Sequence, residues 1–354
     1  MKKLRIGIIG NGGIAKWAHI PAYKNMDNVE IIAVCDIIEE RAKEASEMLG
    51  GKPAVFTDYK ELLKAEGLDA VDICTPNYLH SIIAVDALHA GLHVFCEKPD
   101  AVSVEEALKM GQAAKETGKT LMVMRNNRFH TASQYLKKYI ADGKAGEIYA
   151  GRCGWQRRRG IPGKGGWFTT KAQSGGGPLI DLGVHMIDLS IWLMGNPRPV
   201  AVSGSTYCKF ANDDAGADSD NSKFGDAKAD GVFDVEDLAM GFIKFDNGAC
   251  LQIEFSWASN VERERNFVEL RGTKAGFTWD GGEVKIFTEE GGELADLTPH
   301  CSGSANGHEM NLRHFADVLL NGADPCFVPE QGLNMIKILT AIYESARTGR
   351  EVAL

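Results

Sequence analysis

Over the first 123 residues, short apolar runs alternate with stretches of helical periodicity. The runs are LRIGIIG, VEIIAVCD, AVF, LDAVDICT, LHVFCE and KTLMVM. They are apolar on both faces, as strands buried on both sides of a sheet must be. Between them, EERAKEASEMLG and SVEEALKMGQAAKETG repeat apolar residues at helical spacing. The second opens on Ser103 with Glu106 three residues later, a capping box, and stops at Gly118, a usual residue just past a helix end. Strands alternating with helices predict an α/β domain built on a parallel, doubly wound sheet.

After Met124 the rhythm changes. Residues 135–142 read as a helix, RRRGIPGKGG as a loop, and GGGPLIDLGVHMIDLSIWLMG as a second helix. Residues 200–287 then run strand after strand: VAVSGSTY, LAMGFIKF, ACLQIEFSWA, NFVELRG, FTWD and EVKIFT. Turn signals such as Asp246-Asn247-Gly248 and Asp280-Gly281-Gly282 separate them. Consecutive strands with short turns predict an antiparallel sheet, with helices on one face. Two helices are expected near residues 308–321 and 330–348. Residues 211–231 are rich in Asp, Ala, Ser and Gly; they miss the spacing of a calcium loop and read as a solvated acidic loop. The expected division is a nucleotide-binding domain over residues 1–124 and a substrate-binding domain over 125–354.

Composition narrows the function. A chain of 354 residues suits two domains. The net charge of −9 argues against nucleic acid, whose phosphates need clustered Lys and Arg. No apolar run is long enough for a membrane helix. The opening MKKLRIGIIG is too short, and lacks the cleavage site, for a signal peptide. It reads as the first strand. The eight cysteines form no CxxC pair, so neither a zinc site nor a disulfide framework is indicated. Reduced thiols in a cytoplasm are the simple reading.

The first strand runs straight into Gly10-Asn11-Gly12-Gly13-Ile14-Ala15, which fits GxGxxA. The first glycine permits a tight turn and the second a close approach to a pyrophosphate. The small final residue lets the helix pack on the strand. The helix start then offers free N–H groups to phosphate. A lone match is weak; here it lies between a strand and a helix, which is the confirming context. The second strand ends at Asp36, placed to bond ribose hydroxyls and to repel a 2′-phosphate. With no Arg or Lys before Arg41, this favours NAD over NADP. The alternative is that Asp36 merely caps a helix. Thr75-Pro76-Asn77-Tyr78-Leu79-His80 and Glu97-Lys98-Pro99 follow two further strands, at the ends where ligands bind such sheets. The cofactor candidates are Gly10, Gly12, Gly13, Ile14, Asp36, Ile37, Thr75, Asn77, His80, Glu97 and Lys98. Asn127 and Trp167 join them from later segments.

Together, GxGxxA, TPNYLH, the Glu97-Lys98-Pro99 triplet and GGGPLIDLGVHMIDLSIWLMG resemble the Gfo/Idh/MocA oxidoreductases, relatives of glucose–fructose oxidoreductase and myo-inositol dehydrogenase. The likeness extends through Val235-Glu236-Asp237 to AIYESARTGR near the end of the chain. It implies a Rossmann domain, a C-terminal domain with a large, mostly antiparallel sheet, and homodimers or homotetramers formed through that sheet. It also implies sugar or polyol substrates. Carried over by motif, the family's lysine is Lys98, and the aspartate and histidine of its DxGxH are Asp181 and His185. In the family these three face the substrate hydroxyl and the nicotinamide.

Oxidising a secondary alcohol requires a hydride acceptor and a group that takes the hydroxyl proton. His185 titrates in the right range, whereas Lys98 needs burial or a neighbouring positive charge to do so. Either one fits the role of base, and Lys98 suits stabilisation of alkoxide charge. Asp181 and His185 stand four apart, on one helix face, with Asp188 three further on. The carboxylates would orient the imidazole and meet sugar hydroxyls, although Asp188 fits a structural hydrogen-bond partner equally well. The run Gly175-Gly176-Gly177 would let the backbone come close to a ligand. No metal site is expected, since the pattern is not HExxH. Trp155 and Arg158 suit stacking and hydrogen bonding to a sugar, beside Lys98, Asp181 and His185. His300 and His308 lie in the closing segments. The resemblance points to glucose-type rings, including glucosides and anhydrosugars, oxidised at C3. An inositol, an NAD-assisted glycosidase and a nonenzymatic NAD or sugar sensor are the alternatives.

Overall fold

In the computed structural model, residues 3–212, 224–301 and 306–354 are described. Two compact units emerge: Met1–Asn126 with Asn306–Ile336, and Asn127–Ala305 with Lys337–Leu354.

The first unit is built on six parallel strands: β1 (Leu4–Ile9), β2 (Val29–Cys35), β3 (Ala54–Phe56), β4 (Ala70–Ile73), β5 (His93–Cys96) and β6 (Leu121–Val123). Their order is β3-β2-β1-β4-β5-β6. The order reverses between β1 and β4, and ligands bind at such a switch point. All six strands were legible in the sequence, because burial on both faces demands unbroken apolar runs. The helix Val104–Thr117 starts where expected: Ser103 Oγ accepts from the Glu106 N–H at 3.2 Å, and Gly118 is left-handed with φ of 65°. The Glu106 carboxylate accepts from Ser81 Oγ at 2.7 Å, and so also ties this helix to its neighbour.

Residues 306–336, late in the chain, pack with the first unit. The helix Gly307–Asn321 is capped by Asn306, and its Leu312, Phe315 and Ala316 are fully buried in the core around Ile6, Ile8, Phe95 and Met122. Burial of a side chain such as Phe315 stabilises by about 1.5–3 kcal/mol. The Arg125 N–H donates to Asn311 Oδ1, and the Arg125 guanidinium pairs with Asp100 at 2.7 Å.

Among the described residues, the second unit carries nine strands: β7 (Ile148–Gln156), β8 (Pro199–Tyr207), β9 (Leu238–Phe245), β10 (Cys250–Ser256), β11 (Arg265–Gly272), β12 (Gly276–Asp280), β13 (Glu283–Glu290), β14 (Glu293–Leu297) and β15 (Val352–Ala353). Their order is β14-β13-β12-β11-β7-β10-β9-β8-β15. Every pair is antiparallel except β7 with β10. Three of these strands were not anticipated: β7, β14 and β15. The central β7 was masked by its glycines. A Cβ at Gly151 would lie 2.4 Å from Leu270 Cδ2, and one at Gly154 would lie 2.8 Å from Phe267 Cε1. Neighbouring side chains therefore fill the spaces that β7's own residues leave open, and the strand loses its alternation. The inner face, with Leu251, Ile253 and Phe255 of β10, is buried. It packs under the segment Leu179–Gly183 and the helix Val184–Leu193. Within the acidic loop, residues 213–223 lie outside the described residues. The remainder is not wholly solvated: the Lys228 N–H donates to the Lys164 carbonyl, and Phe224 meets Phe168 edge-on at 5.7 Å.

Candidate active site

In the first unit the glycine turn follows β1 directly. Gly10 has φ of 89°, and a Cβ there would lie 2.7 Å from the Cys74 carbonyl group. A Cβ at Gly12 would meet nothing within 4 Å, so its backbone faces open space. Gly13 is exposed and Ile14 half-buried. Asp36 is not the cap of the following helix, Glu39–Met48, which starts from Ile38. Its Oδ2 accepts from the Asn11 N–H at 2.8 Å and its Oδ1 from the Ile38 N–H at 2.9 Å. The carboxylate thus sits against the glycine turn, with lone pairs left for further donors. Ile37 beside it is 88% exposed, an apolar surface fit for a flat ring.

The residues present fit NAD. Two buried polar atoms on this side, Asn11 Oδ1 and Thr75 Oγ1, have no hydrogen-bond partner in the protein, and Gly12 leaves a cradle that a side chain would fill. Buried polar groups are nearly always satisfied, so orphans here suit a ligand. Asn77 is buried at the same strand end. His80 serves differently. It is fully buried, with Nδ1 2.7 Å from the Pro99 carbonyl and Nε2 2.9 Å from the Thr75 carbonyl. Both nitrogens are committed to backbone, so His80 joins two loops rather than offering a nitrogen to a cofactor. Burial lowers its pKa.

Lys98 is half-buried and precedes a cis peptide to Pro99. Its N–H donates to Glu97 Oε2 at 3.0 Å. Glu97 is buried, and its other oxygen lies 2.8 Å from His19 Nε2.

In the second unit, Asp181 lies in a wide turn, Leu179–Gly183, that runs into the helix bearing His185. Trp257 Nε1 donates to Asp181 Oδ2 at 2.9 Å, and the Trp155 ring lies 5.9 Å from the His185 ring. The Arg157 guanidinium sits 5.4 Å from the centre of Trp155. Asp181, His185, Trp155, Trp257 and Arg157 form one cluster, in which the Trp257 N–H edge holds Asp181 and the Trp155 ring lies beside both His185 and Arg157. Arg157 is buried and its Nε is unpartnered. Burial lowers its pKa, against the opposing charges of Asp181 and Glu264. Arg158, the arginine singled out from the sequence, is instead exposed, with its N–H on Glu264.

The remaining candidates are placed as follows. Asp188 is bound through both oxygens by Arg128, at 2.8 and 2.7 Å, so of its two readings the structural one holds. Trp167 stacks on Phe168 at 3.8 Å. Asn127 is buried with Nδ2 unpartnered. The Gly175-Gly176-Gly177 run has a packing reason rather than the expected ligand approach. Gly175 is left-handed with φ of 84°, and Cβ atoms at Gly176 and Gly177 would lie 2.0 Å from Tyr343 Oη and from the Glu236 carbonyl oxygen. Glu236 accepts from the Gly177 and Leu179 N–H groups and from Tyr343 Oη, which organises the start of the Asp181 segment. His300 is exposed, while His308 meets Trp17 edge-on at 5.5 Å.

Sequence reasoning missed Trp257 and His19, and chose Arg158 from the run of three arginines in which Arg157 is the one beside Trp155. The signal for Trp257 was present, since a Trp in a buried strand needs a partner for its N–H. Nothing in the sequence distinguished Arg157 from Arg158 and Arg159.

Comparison with known proteins agrees with these two halves. Residues 4–125 match the oxidoreductase family described by its NAD-binding Rossmann fold, and residues 137–354 match that family's C-terminal alpha/beta domain. The chain is 34% identical over 353 residues to D-glucoside 3-dehydrogenase of Escherichia coli K12, covering 99% of this chain and 97% of that one. It is 32% identical over 295 residues to levoglucosan dehydrogenase of Pseudarthrobacter phenanthrenivorans, covering 79% and 74%. A solved structure of levoglucosan dehydrogenase with NADH superposes with a TM-score of 0.86 at 25% identity, over 99% of each chain. With both of the family's domains matched and a relative 34% identical over nearly the whole chain, the chain belongs to the Gfo/Idh/MocA family of NAD-binding oxidoreductases.

Proposed function

We propose that the chain oxidises a secondary hydroxyl of a glucose-type ring, a glucoside or anhydrosugar, at C3, with NAD as acceptor. The observation that carries this reading is the cluster in which the buried Trp257 indole N–H holds Asp181 and the half-buried Trp155 ring lies beside His185. Apolar ring faces beside fixed donors and acceptors suit a pyranose, whose own surface is divided in the same way. The glucoside 3-dehydrogenase and levoglucosan dehydrogenase relatives support the same substrate class.

Bound NAD would supply the hydride acceptor at nicotinamide C4. The chain's residues do the rest. Lys98, Asp181 and His185 serve the reaction: Lys98 Nζ or His185 takes the hydroxyl proton, and Asp181, held by the Trp257 indole, accepts from a sugar hydroxyl. Asp36 selects NAD, because a 2′-phosphate beside its carboxylate would be repelled. NADH absorbance tests this against glucosides, levoglucosan, other hexoses and inositols, with NAD and NADP in parallel. The expected result is turnover with glucosides or levoglucosan and preference for NAD. Turnover confined to inositols would overturn the substrate class. Aglycone release without net NADH would make the protein an NAD-assisted glycosidase.

We also propose that copies of the chain associate through the open face of the nine-stranded sheet. Met240 and Phe242 on β9 are 37% and 39% exposed, while Ala239 and Ile243 beside them are fully buried on the helix side. Gln252 pairs with Phe242 and with Arg152, which places both polar residues on the same open face. Light scattering of the purified protein is expected to give a dimer or tetramer, and Phe242→Asp is expected to shift it toward monomer. A monomeric wild type at micromolar concentration would refute the interface. The eight thiols form no disulfide, which supports a reducing, cytoplasmic setting.

A further inference from the structure

Between the glycine turn and the Glu97-Lys98-Pro99 loop lies a buried cluster that the reaction described above leaves unused. His19 ends a π-turn, Ala15–His19, directly after the glycine turn, and is fully buried. Such turns redirect side chains and recur at functional sites. Here His19 Nδ1 lies 2.6 Å from Asp72 Oδ2, and Nε2 lies 2.8 Å from Glu97 Oε1. Asp72 belongs to β4, and Glu97 follows β5, the adjacent strand. Tyr23 Oη donates to the same Asp72 oxygen at 3.0 Å, and Cys74 Sγ is 3.4 Å from Nδ1. The second Glu97 oxygen accepts the Lys98 N–H. One imidazole therefore bridges two carboxylates, and one of these holds the backbone of the lysine.

The electrostatics agree. Both ring nitrogens face carboxylates, and only an imidazolium donates to both. Burial by itself would lower the His19 pKa, but the Asp72 charge and hydrogen bond outweigh it and the pKa is raised. Burial would raise the Glu97 carboxyl, yet the His19 hydrogen bond and charge hold it far below the usual carboxylate range. His308, whose ring lies 6.5 Å from that of His19, and Lys98 act on Glu97 in the same direction. His19, Asp72 and Cys74 also have metal-ligand chemistry. The 2.6 Å separation of nitrogen and oxygen is a hydrogen bond, however, whereas two ligands on one tetrahedral zinc stand roughly 3.3 Å apart.

We propose that His19 is a positioning residue for the reaction: through Glu97 it fixes the backbone from which Lys98 acts. This couples the helix after the glycine turn to the loop that carries the lysine. The inference rests on the reading of Lys98 as the group acting on the substrate hydroxyl.

The test uses the full chain with NAD and a methyl glucoside, comparing wild type with His19→Gln, Glu97→Gln, the double variant and Lys98→Met. Active-site concentration is set by titration with NAD, so misfolded protein does not count. In each single variant kcat is expected to fall at least tenfold, with the KM for NAD changed less than threefold. The double variant is expected to be no slower than the slower single one, because both changes break the same link. A His19→Gln enzyme with kcat within twofold of wild type overturns the proposal, as do effects that multiply in the double variant. Should His19→Gln fail to fold, Glu97→Gln carries the same expectation and the same refutation. Normal turnover in Lys98→Met would instead defeat the reading of the lysine itself.

Discussion

Lys98→Met is expected to bind NAD with an affinity within about threefold of wild type and to lose turnover by about 10²–10⁴-fold, the range for a group that moves or stabilises a proton in the transition state. The asymmetry follows from the structure. The features that would hold the cofactor lie in the glycine turn, the orphaned Asn11 and Thr75 oxygens and the Asp36 carboxylate, and none depends on the Lys98 ammonium. Methionine keeps the length and apolar stem of lysine, so the loop and its cis peptide lose little packing. Fluorescence titration with NAD and steady-state kcat at saturating sugar measure the two effects separately. Weakened NAD binding with unchanged kcat would show that Lys98 is a cofactor ligand only. Retention of both would remove it from the site.

The largest effect on stability is expected at Asp188. Asp188→Ala leaves the Arg128 guanidinium, about 2% exposed, without the carboxylate that binds it through two hydrogen bonds. Removing one partner of a buried pair costs about 3–5 kcal/mol, since the remaining charge stays desolvated. The nearby Trp192 ring, 5.9 Å from the guanidinium, does not replace that partner. Replacing both residues together, Arg128→Met with Asp188→Leu, is expected to recover most of the loss, because no buried charge remains. Urea unfolding of the wild type and the two variants measures both steps. A loss below about 1 kcal/mol in Asp188→Ala, the scale of an exposed pair, would mean that water reaches this pair.

Much of this fold was legible before any coordinates. The parallel sheet was read from apolar runs, and the glycine turn from its place between strand and helix. Ser103 and Gly118 marked both ends of one helix, because caps are local chemistry. Lys98, Asp181 and His185 became candidates through motifs and family likeness, whereas spacing by itself would have left Asp181 and His185 as two polar residues on an apolar helix. The readings that changed all depended on distant partners. Asp188 was undecided between substrate and structure until Arg128, 60 residues earlier, took both its oxygens. The triple glycine suggested ligand approach, but Glu236 and Tyr343, well over 50 residues away, occupy the space its side chains would need. The strand β7 was hidden because Gly151 and Gly154 make room for side chains from β11.

By itself the sequence determined what is set within a few residues: which segments are strands or helices, where the chain turns, and where the short motifs lie whose residue types suit nucleotide and alcohol chemistry. Backbone sterics, capping and burial period act over that range and leave a readable pattern. Only the tertiary structure decided which arginine joins Trp155 and Asp181, which core receives residues 306–336, and that His19 bridges Asp72 and Glu97. Those outcomes follow from close packing and from the cost of leaving buried charges unpaired. Both are settled between residues far apart in the chain, where composition and spacing carry no record of who meets whom.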